Sequence, residues 1–388
     1  MSSKRVKILH IVTDEKFTDG FIDLFDSLQD YENKYVIISD NLYHFRYIKS
    51  NNVNIVTINW FVEQCIQSNK YDIIILHSLV GIKQELIHLI NKNIKLIWFS
   101  WGYDIYEMPL PINPLVKLRH KIGWKWRLKY RIVTIIKFVK RYIVETIIYQ
   151  SKNIWSWEQA INRIDYYSGV YPEEFFLLKR NTFFRAKKIS FNYVSRNSPI
   201  KKDKIDNINI KERKNIMIGH QANPLLNHIE CLYLLKKMNL PEDISIICPL
   251  SYGPKNEIEK IQKVGNKLFG KQFKPILDFL PIEEYMELYD SINIAIFDIQ
   301  RQCAVGNILI ALWNGVKVFL SESSINYIHF KNMGIKVYSI ERDLNIENIY
   351  KRMSIEDIKS NRILLLQQYS YEVIRERIKK NLKKISMS

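Results

Sequence analysis

Short apolar runs alternate with longer amphipathic stretches along most of the chain. The runs are rich in β-branched side chains and occupy residues 6–12, 35–39, 72–76, 95–100, 215–219, 244–248, 293–297 and 316–320. Runs of this kind predict parallel strands buried on both faces, and the amphipathic stretches predict the crossover helices between them. The pattern therefore predicts an α/β fold.

The strand–helix alternation occurs twice, with a polar and basic interruption at Ser195–Arg213. Few large apolar side chains occur in that stretch, so we interpret it as a linker or exposed loop. We predict two Rossmann-like, doubly wound domains, at 1–195 and at 196–388, the second ending in a long helix. Such sheets bind ligands beyond the carboxyl ends of their strands, so a site in a cleft between the domains is expected.

The charge of the chain indicates an anionic partner. Among 388 residues, 58 Lys and Arg oppose 40 Asp and Glu, a formal net charge of +18. Nucleic acid, a membrane surface or a phosphorylated substrate would each suit this excess. The 47% of hydrophobic residues excludes a disordered chain. Four widely spaced cysteines indicate reduced thiols in a cytosolic protein, and the first residues lead directly into a strand pattern with no signal sequence.

More than half of the net charge lies between Leu115 and Val144, where ten basic residues occur with no acidic one. Large apolar residues recur there at helical spacing, as in helices that lie on anionic membranes. No apolar window is long enough to span a bilayer, so we expect a peripheral location. The predicted membrane contacts are Lys117, Arg119, Lys121, Trp124, Lys125, Trp126, Arg127, Lys129 and Arg131.

Two other interpretations of this basic segment remain open. Its apolar stripe can pack on the N-terminal sheet and leave a solvated basic face. Its mixture of cations and aromatic rings can also grip RNA or single-stranded DNA. No RNP, KH or helix-turn-helix pattern accompanies it, so we expect no nucleic-acid partner.

The strand end at Trp101-Gly102-Tyr103-Asp104 is the candidate acceptor side in the N-terminal half. A glycine between aromatic rings suits the stacking of a sugar. Asp104 could accept a proton from an acceptor hydroxyl or form a hydrogen bond to a sugar. A turn with a capping Asp and core aromatic residues explains the same pattern.

Three strand ends in the C-terminal half suit a phosphorylated ligand. His220 and His228 flank a loop that opens a helix, where either ring can form a charge-assisted hydrogen bond to a diphosphate. Arg301 precedes the helix that begins near Gly306 and is a plausible diphosphate clamp. Tyr252 can stack on a base. The alternative for His220 and His228 is a histidine whose hydrogen bonds are formed within the protein. The alternative for Arg301 is an arginine in a solvated loop, and for Tyr252 an ordinary turn between a strand and a helix.

Several common kinds of site are disfavoured by the sequence. Neither a Walker A loop nor GxGxxG occurs, and GxSxG is absent. There is also no DxD pair and no cluster of His, Cys and carboxylates at metal spacing. We therefore expect a site without a metal or another cofactor.

Four segments in register resemble the TDP-N-acetylfucosamine:lipid II N-acetylfucosaminyltransferases of glycosyltransferase family 56. WGYDIYE resembles the family's WGxDLYE, and CPLSYGPKNEIEKI resembles VPxxYPxNNExYI. IGHQANPLLNH is similar to a strand, GNS loop and NxH pattern, with His220-Gln221 where the family usually has Asn-Ser. FDIQRQCAVGNILIALWNGVKVFL matches the region with Arg-Gln, Gly, a helix and a strand.

The resemblance implies a GT-B fold that holds the nucleotide mainly in the C-terminal domain. It implies transfer of a deoxyamino sugar from a TDP donor to a polyprenyl-diphosphate-linked saccharide, as in assembly of enterobacterial common antigen, at the cytoplasmic face of the bacterial inner membrane. By this resemblance the donor side would comprise Gly219, Asn227, His228, Tyr252, Glu257, Arg301, Gln302 and Gly306, and the acceptor side Trp101, Gly102, Asp104 and Tyr106. We add His220 and Asn307 to the donor-side candidates and His77 to the acceptor-side candidates.

Our hypothesis is a metal-independent, peripheral glycosyltransferase in which His228 and Arg301 stabilise the leaving diphosphate and Asp104 serves the acceptor. One rival is another GT-B enzyme with a UDP or GDP donor, or a nucleotide-sugar epimerase. A non-enzymatic rival is a basic adaptor for membranes or nucleic acids.

Overall fold

The computed structural model describes residues 5–64, 70–106, 155–208 and 212–387, together with residues 135, 136, 139, 140, 143, 144 and 147. These residues form two compact units. The first contains the described residues up to Ser198 and those from Gln368 onward, and the second contains Pro199–Gln367.

The first unit is built on a seven-stranded parallel sheet with the order β3-β2-β1-β4-β5-β6-β7. Its strands are β1 (Val6–Ile11), β2 (Tyr31–Ile38), β3 (Val53–Val56), β4 (Ile73–His77), β5 (Lys95–Phe99), β6 (Tyr166–Ser168) and β7 (Lys187–Lys188). Successive side chains of a strand point to opposite faces of a sheet. Accordingly, Ile8 packs in one apolar cluster and Leu9 in another, so both faces of the sheet are covered.

Short helices connect these strands. They are α1 (Thr18–Asp26), α2 (Ile58–Val62), α3 (Ile82–Leu86), α4 (Tyr103–Tyr106), α5 (Trp157–Arg163) and α6 (Pro172–Leu178). Thr57 caps the start of α2 and Ser156 that of α5, each through its side-chain oxygen.

The second unit is built on a six-stranded parallel sheet with the order β10-β9-β8-β11-β12-β13. Its strands are β8 (Asn215–Ile218), β9 (Ile246–Pro249), β10 (Phe273–Ile276), β11 (Ile292–Phe297), β12 (Lys317–Leu320) and β13 (Tyr338–Ser339). Its helices are α7 (His228–Lys236), α8 (Lys255–Phe269), α9 (Ile282–Leu288), α10 (Val305–Trp313), α11 (Ile325–Asn332), α12 (Ile346–Tyr350) and α13 (Ile355–Tyr369).

In each sheet the first strand of the unit lies between the second and the fourth. β1 pairs with both β2 and β4, and β8 pairs with both β9 and β11. The connections that follow the first and the fourth strand run in opposite directions. This opens a crevice at the carboxyl ends of these two strands. The fold therefore places a ligand crevice in each unit, after β1 and β4 and after β8 and β11.

The C-terminal helix α14 (Tyr371–Ser386) corrects the predicted domain division. The sequence assigned 196–388 to one domain, but Ile374, Ile378 and Leu382 of α14 pack into the first unit's core. Arg375 also donates hydrogen bonds to the Oγ and carbonyl of Ser27. An apolar stripe predicts that a helix is covered but not which sheet covers it, so the sequence pattern alone could not make this assignment.

The predicted strands all occur, with ends that differ by a few residues. The strands that the sequence analysis did not predict are β3, β6, β7, β10 and β13, which are only two to four residues long. Strands this short provide little apolar periodicity.

The predicted membrane contacts at 117–131 lie outside the described residues, as does Cys65. Among the residues that are described, no helix has the length and hydropathy needed to cross a bilayer.

Leu382→Ala should lower the free energy of unfolding of the first unit by about 2–5 kcal/mol, because it leaves a cavity in that unit's core. Lys383→Ala, at an exposed position of the same helix, is the matched control and should change stability by less than about 0.5 kcal/mol. Urea denaturation of both variants measures the difference. Equal effects would mean that α14 does not contribute to this core.

Candidate active site

Gly219 ends β8 in a left-handed conformation, with φ of +66°, and turns the chain toward α7. A Cβ atom at this position would lie 2.4 Å from Nε2 of His228. Only glycine can combine this backbone angle with so close an approach. The turn therefore brings the imidazole of the first α7 residue against the end of β8.

His228 is 2% exposed, and neither ring nitrogen has a hydrogen-bond partner among the described residues. Burial, with a smaller contribution from His220, lowers the pKa of the His228 imidazole to about 3. The ring is therefore neutral near pH 7, with one N–H to donate and one nitrogen to accept. The ligand-free ring is neutral because a buried imidazolium lacks a counter-charge here, and the charge-assisted hydrogen bond from His228 to a diphosphate stays a prediction.

Asn227 joins the two loops that border the crevice of the second unit. Its side-chain amide donates to the carbonyl of Asp298, just after β11, at 3.1 Å, and its own backbone is left-handed with φ of +49°. The Oδ1 atom of this buried side chain has no hydrogen-bond partner among the described residues. Unsatisfied buried atoms at strand ends are typical of sites that await a ligand or water.

The loop after β11 places Arg301 beside the predicted histidine loop. Nε2 of His220 lies 3.8 Å from the thiol sulfur of Cys303. Burial raises the pKa of that thiol, and the charge of Arg301 opposes the rise, so the guanidinium is close by. His220, Cys303 and Arg301 therefore lie together at the carboxyl ends of β8 and β11.

Helix α10 begins directly after this loop. Ala304 precedes it in a left-handed conformation, with φ of +60°, and Gly306 in its first turn is exposed, with open space where a side chain would be. The first backbone N–H groups of a helix lack intrahelical acceptors and favour anions. Gln302 is half-buried in the same loop.

The loop after β9 lies against the loop after β8. The Ala222 N–H donates to the carbonyl of Tyr252 at 2.9 Å, and the Tyr252 side chain is partly exposed. Gly253 has φ of +128°, and a Cβ there would lie 2.0 Å from the Ala222 carbonyl oxygen. Tyr285 donates to Oδ1 of Asn307 in α10 at 2.7 Å, and the nearby Tyr252 helps to raise the pKa of Tyr285.

Glu257 is less accessible than a ligand-contacting residue is expected to be. It is buried in the first turn of α8, and its carboxylate lies 3.5 Å from the ammonium of Lys260. Its contact with the donor stays a prediction.

Asp104 is buried between the loops after β4 and β5. The carboxylate is fully buried and accepts from the Leu79 N–H at 2.9 Å, the Trp98 indole at 2.7 Å and the Trp101 N–H at 2.9 Å. Burial raises the pKa of Asp104, and these hydrogen bonds oppose the rise. Its oxygens hold the loops after β4 and β5 together, which favours a structural role, and the assignment of Asp104 as base or acceptor contact stays a prediction.

The other predicted acceptor contacts are buried around the same strand ends. Gly102 turns the chain with φ of +89°, and the Trp101 ring packs against Phe17. His77 and Trp101 each keep one ring nitrogen without a described hydrogen-bond partner. Tyr106 is also buried. Their contact with an acceptor stays a prediction.

Lys83 is a site residue that the sequence analysis missed. Its ammonium group donates to Oγ1 of Thr13 at 2.6 Å and to the carbonyl of His77, at the carboxyl ends of β1 and β4. Ser78, which has a strained φ of +67°, accepts a hydrogen bond from the Tyr103 hydroxyl at 3.0 Å in the same cluster. Burial lowers the pKa of Lys83 to about 7.

A signal for Lys83 was available in the sequence. Ile82-Lys83-Gln84-Glu85-Leu86 follows a strand end directly, and Lys83 takes an apolar position three residues before Leu86 on the short helix. A lysine that shares a helix face with core residues is either buried with them or extends its side chain so that the ammonium group reaches water.

The sequence model of the family described as 4-alpha-L-fucosyltransferase glycosyl transferase group 56 matches residues 176–373, just over half of the chain. The chain belongs to glycosyl transferase group 56. The match covers every predicted donor-side residue of this glycosyltransferase, whereas the predicted acceptor side lies before residue 176.

Solved glycosyltransferase structures share the fold of the protein. A glycosyltransferase from Rickettsia africae ESF-5 is 12% identical, with a TM-score of 0.63 and 98% of each chain covered. Anabaena Alr3699/HepE, in complex with UDP and glucose, is 12% identical, with a TM-score of 0.58 over 98% of this chain and 100% of that one. The expected GT-B fold is confirmed.

A third similar structure is an alpha-glucosyltransferase in complex with UDP and a 13-mer DNA containing an HMU base. It is 13% identical, with a TM-score of 0.53 over 99% of this chain and 100% of that one. Identities this low establish the shared fold only.

Gly253→Ala should destabilise the glycosyltransferase by roughly 1–3 kcal/mol more than Gly270→Ala, because its methyl group meets a backbone carbonyl. Gly270 also has a left-handed φ, of +52°, but nothing lies within 4 Å of the added atom, so it controls for backbone strain. Urea denaturation compares the two variants. If they lose the same stability, the packing of the loops after β8 and β9 is looser than described.

Lys83 should make stability depend on pH. Between its folded pKa of about 7 and its ordinary value of 10.5, the unfolded state keeps a proton that the folded state has released. The free energy of unfolding of the wild type therefore rises with pH. Its difference from that of Lys83→Met should increase by about 1.4 kcal/mol per pH unit from about pH 7 to 10.

Denaturation at several pH values measures this slope. Leu86→Met, a buried and non-titrating change on the same helix, is the control and should show a difference from wild type that does not vary with pH. A pH-independent difference for Lys83→Met would contradict the buried amine.

Proposed function

We propose that this glycosyltransferase moves a sugar from a nucleoside diphosphate donor to a polyprenyl-diphosphate-linked saccharide. A TDP-linked deoxyamino sugar of the N-acetylfucosamine kind is the favoured donor, in assembly of a surface polysaccharide. The family match supports sugar transfer, and the UDP complexes of two proteins with this fold support a nucleotide donor.

The hydrogen bond from Asn227 to the Asp298 carbonyl is the observation on which the proposal mainly rests. It fixes the loop of Gly219 and His228 beside the loop of Arg301, at the crevice of the second unit. A diphosphate there meets a guanidinium and the first N–H groups of α10, while Tyr252 offers a partly exposed ring for a base.

The transfer breaks the bond between the anomeric carbon and the diphosphate as the acceptor hydroxyl oxygen forms a bond to that carbon. The electron pair of the broken bond stays on the leaving diphosphate, which gains a negative charge and can take up the proton that the hydroxyl loses. Arg301 and the α10 amides stabilise the negative charge that develops on the leaving group. The neutral His228 contributes one ordinary hydrogen bond.

A peripheral location on the cytoplasmic face of the bacterial inner membrane completes the proposal. Ile135, Val139, Ile143 and Ile147 follow each other at four-residue intervals and are 46–64% exposed. Helical residues with this spacing share one face. The exposure of Ile135 and Val139 supports a bilayer as the cover for this part of the apolar stripe.

Thermal unfolding with TDP, UDP, GDP or a short oligonucleotide tests the donor. A nucleotide at 100 times its Kd should stabilise the protein by about 2.7 kcal/mol, and we expect this with TDP. Arg301→Ala should reduce this stabilisation and lower turnover by about 10²–10³-fold with the fold intact.

Arg352→Ala, an exposed arginine of the same unit, is the control and should keep both properties. A preference for UDP or GDP would retain the transferase and reject the TDP sugar. Normal turnover in Arg301→Ala would reject its role, and stabilisation by the oligonucleotide alone would favour the adaptor.

A further inference from the structure

The segment from α6 to β7 exposes two phenylalanine rings among cations. Phe176 is 62% exposed and Phe183 is 47% exposed. The segment FFLLKRNTFFRAKK, residues 175–188, has no acidic residue. Its exposed cations are Lys179, Arg180, Arg185, Lys187 and Lys188. We call these five cations and two rings the α6–β7 surface.

Contacts within the segment show that this surface is continuous. The ammonium of Lys188 lies 4.7 Å from the centre of the Phe176 ring, which joins β7 to α6. The Phe175 and Phe176 rings are 5.6 Å apart, and the ammonium of Lys179 lies 5.5 Å from the Phe175 ring. The cations and the aromatic rings therefore lie side by side on one continuous surface.

The cations of the α6–β7 surface are not neutralised within the described part of the protein. None of the five forms an ion pair with a described carboxylate. Among the described strands, β7 lies at the edge of the sheet beside β6, so its lysines lie along that edge. An anionic partner can therefore approach without displacing a described carboxylate.

We propose that the α6–β7 surface docks on an anionic lipid bilayer. Phenylalanine rings enter the boundary between headgroups and acyl chains, and each nearby Lys or Arg adds attraction to anionic lipids. Single-stranded nucleic acid fits less well, because stacking needs an open ring face and Lys188 covers a face of Phe176. The inference rests on the membrane location proposed above and not on the identity of the donor.

Co-sedimentation of the full-length protein with vesicles tests this surface. One set of vesicles is phosphatidylcholine, and the other is phosphatidylcholine mixed with phosphatidylglycerol. The wild type should bind the anionic set more tightly and lose binding as salt rises. Lys187→Gln/Lys188→Gln should weaken anionic binding about thirty-fold. Phe176→Gln/Phe183→Gln should weaken it about tenfold or more.

Matched exposed positions in the second unit provide the controls. Phe279→Gln and Lys202→Gln/Lys204→Gln should bind vesicles like the wild type. Circular dichroism and the nucleotide-dependent thermal shift should be unchanged in every variant, because none of these positions belongs to the donor site.

The outcomes separate the surface from the rest of the proposed function. If the wild type binds anionic vesicles but the α6–β7 variants match the controls, this surface is rejected and the membrane location stands. If the wild type binds no vesicles, both are rejected, while the thermal shift still decides the donor. Binding of a single-stranded oligonucleotide in place of vesicles, lost in Phe176→Gln/Phe183→Gln, would assign the surface to nucleic acid.

Discussion

Strands covered on both faces have room for polar chemistry only at their ends, and this constraint governs both units. All five residues of β4 are buried, and the next residue is the strained Ser78 that contacts Tyr103. All six residues of β11 are buried, and the next residue is Asp298, whose carbonyl holds Asn227. The strand order then brings together two such ends in each sheet, so the candidate groups meet at the carboxyl edge of the sheet.

Burial also decides which basic side chains carry charge. His10, His77 and His228 lie in apolar surroundings, and desolvation lowers the pKa of each. Arg301, with its guanidinium group, is the candidate cation among the predicted donor-side residues. Most of the described lysine and arginine side chains are exposed, where water or an anionic partner can accommodate their charge.

The sequence was sufficient for eight of the thirteen described strands, for the α/β class and for the family, because each depends on patterns local to the chain. It could not distinguish the two roles of Asp104, since a turn-forming carboxylate and a base share the same local motif. The charge state of His228 depends on burial that only the packed structure shows. Lys83 was missed because its partners, Thr13 and His77, come from different strand ends.

The return of α14 to the first sheet has a consequence for how the protein is made. Residues up to Ser198 leave the ribosome long before α14, so one apolar cluster of the first unit stays incomplete while the whole second unit is synthesised. During that interval the cluster lacks Ile374, Ile378 and Leu382, and apolar surface exposed in this way is prone to aggregation. The second unit, contiguous from Pro199 to Gln367, can fold first. A nascent chain of this protein is therefore expected to need chaperone protection for its earliest part until its last residues are complete.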